Sequence, residues 1–450
     1  MKNKKDNRLT TAQMMGYGSG DFAIELVINS VIFYLLYFYT DVFLIPSAIA
    51  GTIILVSRLL QAMMNPVVGI LSDKTETRWG KKRPFILFTA FPLGLFFFLV
   101  FAPAGFVTDS KLIYAFISSI LFLAAFSFTT IPYASLASVI THDSHQRSLV
   151  SAWRMAFALL GSLVAAGATR PLASLFENEA VGFRVTALLY GILVVIILLI
   201  TFSSTSEKRI VKTGLGPVAG FKDFALIRKN GPFLLIAISS LFFYMALNTL
   251  AATVNYYFKY VLNAEHLIAV AFVALFATAG LSIPLFIAIA EKFGKKNAFL
   301  SASIFFFLVL MISFFAGIQG IPLTLVVLVL SGVGISGIFL FPWSLMPDTV
   351  EYMQWKTGFR REGMLYGFFI LFFNSSAALA GLVTGMGLEL SGYVPNVVQD
   401  VTARHGIFLL MSIVPAISIL IGSVLLYFYP IDEEMHLKIV REIRERDNKQ

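Results

Sequence analysis

The run Asp73-Lys74-Thr75-Glu76-Thr77-Arg78-Trp79-Gly80-Lys81-Lys82 is echoed far downstream by Glu291-Lys292-Phe293-Gly294-Lys295-Lys296. Each copy is an acid and a lysine followed by a glycine and two lysines, and each follows the second long apolar stretch of its half of the chain. Echoes of this kind mark a transporter-like chain made of two duplicated halves. Around them lie twelve stretches able to cross a bilayer, which takes about 20 mostly apolar residues in a helix, because the backbone must satisfy its own hydrogen bonds in lipid. The predicted spans are 14–40, 47–71, 84–104, 112–137, 149–172, 184–204, 232–260, 266–290, 298–318, 321–347, 364–391 and 406–429. The polar stretch from Ser203 to Asn230, rich in basic residues, separates two six-helix sets. The expected organisation is an all-α membrane protein with pseudo-symmetric bundles at 1–204 and 232–430, a cytoplasmic loop at 205–231 and a tail at 431–450. Leu437, Ile439, Val440 and Ile443 in that charged tail predict a short amphipathic helix on the inner face.

Composition agrees with the spans. Of 450 residues 58% are hydrophobic and 13% charged, against about 25% charged in soluble proteins. With no cysteine in the chain, disulfides, thiolate metal sites and cysteine nucleophiles are excluded. The five histidines, His142, His145, His266, His405 and His436, are read as lying in loops or the tail, His266 at the very start of the eighth span, without the spacing that metal binding on one helix face requires. No nucleophile motif, phosphate loop or nucleic-acid module is present, so neither an enzyme nor a nucleic-acid partner is expected. The net charge of +9 is read as orientation rather than as affinity for polyanions. Only Lys111, Arg170, Arg184, Lys259 and Arg404 fall on one side of the membrane and Arg58 and Arg154 inside helices. The other Lys and Arg all fall on the side of the two termini. By the positive-inside rule that side is the cytoplasm, and the first apolar run, which lacks a cleavage site, is read as a retained helix.

An ionised side chain in the bilayer centre costs several kcal/mol or more, so it is normally paired and faces a polar cavity. Asp21, Glu25, Arg58 and Arg154 are the residues of this kind, two acids balanced by two arginines. Asp21 and Glu25 are spaced i, i+4 and share a helix face. A carboxylate accepts hydroxyl hydrogen bonds, and a guanidinium fork binds carboxylates or bridges sugar hydroxyls. The same four could serve only as an ion-pair lock between helices. Trp343 is the one tryptophan deep in a span, where its ring could stack on a pyranose. Asn248, Asn255 and Tyr256 in the seventh span and Asn374 in the eleventh are further polar candidates. In the loops, Asp73, Arg78, Lys81, Lys82 and Arg83, with Asp348, Glu351, Arg360 and Arg361, are gate candidates whose ion pairs could favour one state of a rocking cycle. Solvated loop charge is the plainer reading of these residues.

The Glu-Lys-x-Gly-Lys-Lys run at 291–296 resembles the loop motif of the major facilitator superfamily. The longer run from Ser72 through Gly80-Lys81-Lys82-Arg83-Pro84 resembles the glycoside, pentoside and hexuronide cation symporters, the branch with the melibiose and glucuronide permeases. Gly20-Asp21-Phe22-Ala23, Tyr39-Thr40-Asp41-Val42, Ile131-Pro132-Tyr133, Asp348-Thr349-Val350-Glu351-Tyr352 after helix ten, and Gly392-Tyr393-Val394-Pro395-Asn396 extend that resemblance from the first helix to the eleventh. It implies the major facilitator fold and a secondary transporter moving a sugar, glycoside or hexuronide by alternating access, with no cofactor and with a co-transported H+ or Na+. Asp21 and Arg154 match the acid and arginine that hold galactosyl hydroxyls in the melibiose permease, and Trp343 matches a tryptophan of the glucuronide permease. The chain departs from the pattern in helix two, where the two cation-site aspartates are replaced by Gln61 and Asn65. The helix-four aspartate is Thr130, and the lysine of helix eleven is Asn374. Coupling through Asp21 or Glu25 by proton exchange is therefore the expectation, with uncoupled facilitation as its competitor. Pro342-Trp343-Ser344-Leu345-Met346-Pro347-Asp348 is similar to a run in lysophospholipid symporters, so an amphiphile carrier stands as an alternative, as does a non-transporting sensor. The expected partners are a small-molecule substrate and membrane lipid, and the expected state is a monomer in the cytoplasmic membrane.

Overall fold

The computed structural model describes residues 9–102, 110–140, 144–207, 227–228, 230–317, 320–358 and 362–447. Most of the expected loop at 205–231, together with His142, Arg360 and Arg361, lies outside the described residues. Among the described residues, twelve helices are long and apolar enough to cross a membrane, and the chain divides into two compact units, Met1–Gly214 and Leu215–Gln450.

The first unit is built from α1 (Thr11–Tyr37), α2 (Ser47–Lys74), α3 (Arg83–Val100), α4 (Lys111–Ile140), α5 (Ser144–Ala173) and α6 (Glu179–Ser204). Thr10 and Gln13 form a capping box at the start of α1, and Asn178 caps α6 through the Ala180 and Val181 N–H groups. These side chains satisfy donors that the first helical turn leaves unpaired. The second unit holds α7 (Gly231–Tyr256), α8 (Ile268–Leu281), α9 (Ile283–Phe293), α10 (Lys295–Phe315), α11 (Ile321–Thr357), α12 (Glu362–Leu390), α13 (Val401–Met411) and α14 (Ile413–Tyr427). α8 with α9 makes one span and α13 with α14 another. Their breaks fall at Ser282 and Ser412, just ahead of Pro284 and Pro415, residues with no N–H to give to the preceding turn.

Each unit repeats the same five helix pairings. In the first, α1 packs on α5 and α6, α3 on α4 and α6, and α2 on α4. In the second, α7 packs on α12 and α14, α10 on α11 and α14, and α8 on α11. The opening helices of the two units also end alike, in a widened π turn, at Phe38–Val42 after α1 and Tyr257–Val261 after α7. The Phe43 and Ile45 N–H groups donate to Phe38 and Tyr39, and those of Leu262 and Ala264 to Tyr257 and Phe258. Leu44 and Asn263 then take positive φ values of 57° and 52°. π turns are rare and occur mostly as single turns. Finding one at the same place in both units is a backbone signature of the duplication seen in the lysine motifs.

Two sequence expectations are corrected. The tenth span does not stop at residue 347: α11 runs through Pro342 and Pro347 to Thr357, so Asp348, Glu351 and Tyr352 are helical. Membrane helices tolerate proline when neighbours satisfy the freed carbonyls, and α11 ends instead where Gly358 takes φ 76°, the left-handed cap that glycine supplies. His145 and His405 also lie inside helices, α5 and α13, which begin earlier than their expected spans. The tail forms α15 (Glu433–Asp447) and docks on α11, where Trp355 donates to Glu442 at 2.6 Å and His436 meets Glu351 at 2.7 Å.

Candidate functional site

Small residues bring α1 against α5. A Cβ at Gly18 would touch the Trp153 backbone, and one at Gly161 would strike the backbone of Phe22. Asp21 and Arg154 each lie ten residues into their helix, about 15 Å along it at 1.5 Å per residue, and the close approach sets them face to face. Arg154 donates from Nε to Asp21 Oδ2 at 2.5 Å and from Nη2 to Oδ1 at 3.3 Å. This is the two-pronged geometry that a guanidinium fork favours. Tyr17 and Tyr133, both fully buried, stack at 4.8 Å and exchange hydrogen bonds: each hydroxyl donates to the other's carbonyl, at 2.9 Å and 2.7 Å. Their rings lie 5.7 Å and 5.2 Å from the guanidinium carbon of Arg154, within cation–π range. The pair is therefore bound, oriented and walled by aromatic rings. In the sequence Tyr133 stands only as part of the Ile-Pro-Tyr motif, and the one signal at Tyr17 is its place one turn before Asp21.

Glu25 lies one turn beyond Asp21 and accepts from Asn29 Nδ2 at 2.9 Å, while the same amide reaches Ser162 on α5 at 3.0 Å. It thus extends the polar face of the α1–α5 seam without an ionic partner of its own in these contacts. Arg58 on α2 is 5% exposed and makes no hydrogen bond, ion pair or ring contact with any described residue. The expected balance of two acids with two arginines therefore resolves into one bound pair, one amide-held acid and one solitary cation. Gln61 is buried and Asn65 half-buried on the same helix, and Gln61 Oε1 and Asn65 Oδ1 find no partner among the described residues, nor does Thr130 Oγ1 on α4.

The second unit supplies a different surface. Trp343 on α11 is 41% exposed and meets Phe369 edge-on at 5.1 Å and Phe373 at 6.3 Å. Tyr244 on α7 closes the cluster against Phe373 at 4.6 Å. One turn on, Asn248 donates to Ser376 at 3.4 Å, and Asn374 is half-buried on α12. Asn255 and Tyr256 are buried further along α7, where Tyr256 meets Tyr393 edge-on.

The loop candidates find their recorded partners inside their own units. Between α2 and α3, Glu207 accepts the backbone N–H groups of Lys81, Lys82 and Arg83 at 2.7, 2.6 and 2.8 Å. Gly80 turns the chain over that carboxylate with φ 107°, and a Cβ there would collide with it. Lys81 also pairs with Glu76 at 3.3 Å, Arg83 donates to the Phe202 carbonyl at 2.9 Å, and Arg78 lies over the Trp79 ring. In the second unit Lys295 donates to both oxygens of Asp348 at 3.1 and 3.2 Å, and Lys296 to the Tyr429 carbonyl at 2.6 Å. The side chain of Asp73 and the whole of Arg361 lie outside the described residues. Sequence reading missed Glu207 entirely. Its only local signal is an acid at the end of a span, just before a basic run.

A family described as MFS/sugar transport protein matches residues 16–433. The chain is 30% identical to an uncharacterized symporter, YnaJ, of Bacillus subtilis over 99% of its own length and 97% of the relative's. It is 31% identical to a putative sulfoquinovose importer of Escherichia coli, covering 98% and 96%. Among solved structures, a bacterial homologue of the human lysosomal transporter Spinster superposes with a TM-score of 0.71 at 13% identity, covering 96% of this chain and 99% of that one. That likeness carries the fold.

Proposed function

This chain belongs to the MFS/sugar transport protein family, and from that premise we propose that it carries a sugar, glycoside or hexuronide across the cytoplasmic membrane by alternating access, coupled to a proton. The observation that carries the reading is the Asp21–Arg154 pair with its two tyrosine rings. In the empty protein each charge satisfies the other. When a sugar enters, its hydroxyls donate to Asp21 and accept from the outer N–H groups of Arg154, so neither charge is left bare at any stage. A relative named as an importer of sulfoquinovose, a sulfonated hexose, supports a carbohydrate cargo.

Coupling falls to Glu25 or Asp21, the carboxyls of the α1–α5 seam. Sodium is the weaker candidate, because Gln61, Asn65 and Thr130 offer neutral oxygens and no formal charge, whereas hard cations favour carboxylate ligands. Both termini lie in the cytoplasm, where the basic loops gather. The protein acts as a monomer in lipid, without nucleic acid, and moves its substrate unchanged.

Uptake into proteoliposomes with imposed proton or sodium gradients tests this. A sugar or uronide should accumulate against its gradient when protons flow inward, and Asp21→Asn should abolish accumulation. Equilibration without accumulation under either gradient would establish facilitated diffusion instead, and transport of no member of a broad sugar panel would remove the carbohydrate reading. Unchanged proton coupling in Glu25→Gln would leave Asp21 as the carrier.

A further inference from the structure

Among the buried and half-buried arginines of the first unit's spans, Arg58 stands apart. Arg154 is held by Asp21, and Arg170 by Glu179 and the Tyr37 hydroxyl. Arg58 is as deeply buried as Arg170, yet no described residue pairs with it and no neighbouring carboxylate offsets its charge. The acids nearest in kind are committed elsewhere: Asp21 to Arg154, Glu25 to Asn29 and Glu207 to the loop before α3. A buried cation left without a partner is among the most costly features a protein interior can carry, and in a transporter it points to a group supplied from outside.

Its surroundings agree. Ser57, Arg58, Gln61 and Asn65 fall on one stripe of α2, at spacings that bring successive side chains within reach of each other. The stripe continues to Gly69, which faces Ile131 on α4. Alternate spans run in the same direction, so four residues earlier on each helix Asn65 and Ser127 share a level. The side-chain oxygens of Ser57, Gln61, Asn65, Ser127 and Thr130 are all buried without a hydrogen-bond partner among the described residues. Unbonded hydroxyls also occur on α7, at Ser239, Ser240 and Thr249, but there no charge lies among them; on the α2–α4 stripe the unbonded oxygens accompany a buried cation, and buried polar groups are nearly always bonded. The sign of the site follows from its inventory. A cation arriving here would meet a fixed positive charge and no carboxylate. An oxyanion would meet a five-donor guanidinium, with hydroxyl and amide donors beside it.

We propose that the α2–α4 stripe is an oxyanion site in which Arg58 receives the carboxylate or sulfonate of an acidic substrate, with Ser57 and Gln61 alongside and Asn65, Ser127 and Thr130 meeting the hydroxyls next to it. The inference rests on the sugar-transport reading and narrows it to sugar acids. A fixed guanidinium then stands where a mobile cation would otherwise be needed to neutralise the cargo. The site requires no sodium.

The test uses the purified full chain and four probes: D-glucuronate, its uncharged methyl ester, D-glucose and methanesulfonate. Glucuronate should bind roughly 10- to 100-fold more tightly than the ester or glucose, the range expected for a charge-assisted pair, and methanesulfonate should compete with it. Arg58→Gln should weaken glucuronate by that factor and the ester by no more than about threefold, abolishing the preference, and Arg58→Lys should fall between. Arg58→Gln should also melt no lower than the parent, since it removes an unpaired buried charge, and this separates lost binding from lost folding. Equal affinity for acid and ester in the parent, or a preference that survives Arg58→Gln, overturns the proposal. If no sugar probe binds but methanesulfonate raises the melting temperature of the parent and not of Arg58→Gln, the oxyanion site stands and the carbohydrate reading falls. If methanesulfonate too is without effect, the oxyanion site falls with it.

Discussion

The two six-helix units share five helix pairings and a π turn at the end of the opening helix, yet the middles of their spans differ in charge, the second unit keeping its buried Asp348–Lys295 pair near the end of α11. The first buries Asp21, Arg58 and Arg170 and half-buries Glu25 and Arg154. Counted back from the two π turns, Asn248 on Ser376 in the second unit matches Asn29 on Ser162 in the first, whereas Tyr244 stands at the place of Glu25 and the buried Ser240 at the place of Asp21. The second unit shows that this bundle packs without ions in its middle. The charges in the middle of the first unit are therefore not demanded by the shared architecture, and each carries the cost of an ionised group inside a span.

The sharpest way to break that contrast is to neutralise the ion pair in steps. Asp21→Asn alone leaves a largely buried arginine without its anion and should destabilise the protein by about 3 kcal/mol, with uptake reduced at least about 100-fold, the equivalent of roughly 3 kcal/mol. Adding Arg154→Gln should restore most of the melting temperature, because a neutral amide pair replaces the ion pair, but none of the uptake. A double variant that regains both would reduce the pair to an interhelical lock and make the two units chemically alike.

The duplicated lysine loops give a second, smaller contrast. Gly80 and Gly294 both have positive φ, 107° and 80°. A Cβ at Gly294 meets open space, whereas one at Gly80 drives into the Glu207 carboxylate that anchors three backbone N–H groups. Gly294→Ala should cost about 1 to 3 kcal/mol from backbone strain alone, and Gly80→Ala at least about 2 kcal/mol more through the lost charge-assisted bonds. Thermal melts of the two variants and of Glu207→Gln check this. Equal losses at the two glycines would mean that Glu207 does not organise its loop.

The sequence reading succeeded where information is local and periodic. Apolar length gave the twelve spans, and the lysine echo gave the halves. Asp21, Glu25, Arg58 and Arg154 were visible because charge inside an apolar run needs no partner to be noticed. Partner choice was not visible, since it depends on which helix lies opposite. Arg154 is far from Asp21 in the chain and reaches it only through the Gly18 and Gly161 approach, while Arg58 looked like half of a balanced set. Glu207 escaped because its role depends on three N–H groups from a loop far earlier in the chain. The extension of α11 is hidden because Pro347 and an acid beside it read as a helix end, whereas the cap is Gly358, eleven residues beyond Pro347. The π turns have no side-chain period to betray them.

The finest contrast concerns the aromatic walls. In the first unit the tyrosine rings serve a charge: they flank Arg154 and bond each other's backbone. In the second, Trp343 is 41% exposed and, among the described residues, its ring meets Phe369 and Phe373, which leaves part of the indole open to stack on a cargo. Stacking of this sort is worth about 0.5 to 1.5 kcal/mol, so Trp343→Ala should weaken substrate affinity roughly 3- to 10-fold, and Trp343→Phe, which keeps a ring, by less than about threefold. Uptake measured at low and at saturating substrate separates affinity from turnover. A loss confined to low substrate places Trp343 on the cargo, and an equal loss at both makes it a packing residue of α11. A Trp343→Ala loss as large as that of Asp21→Asn would give the aromatic cluster the same weight as the ion pair, and the contrast between them would fail.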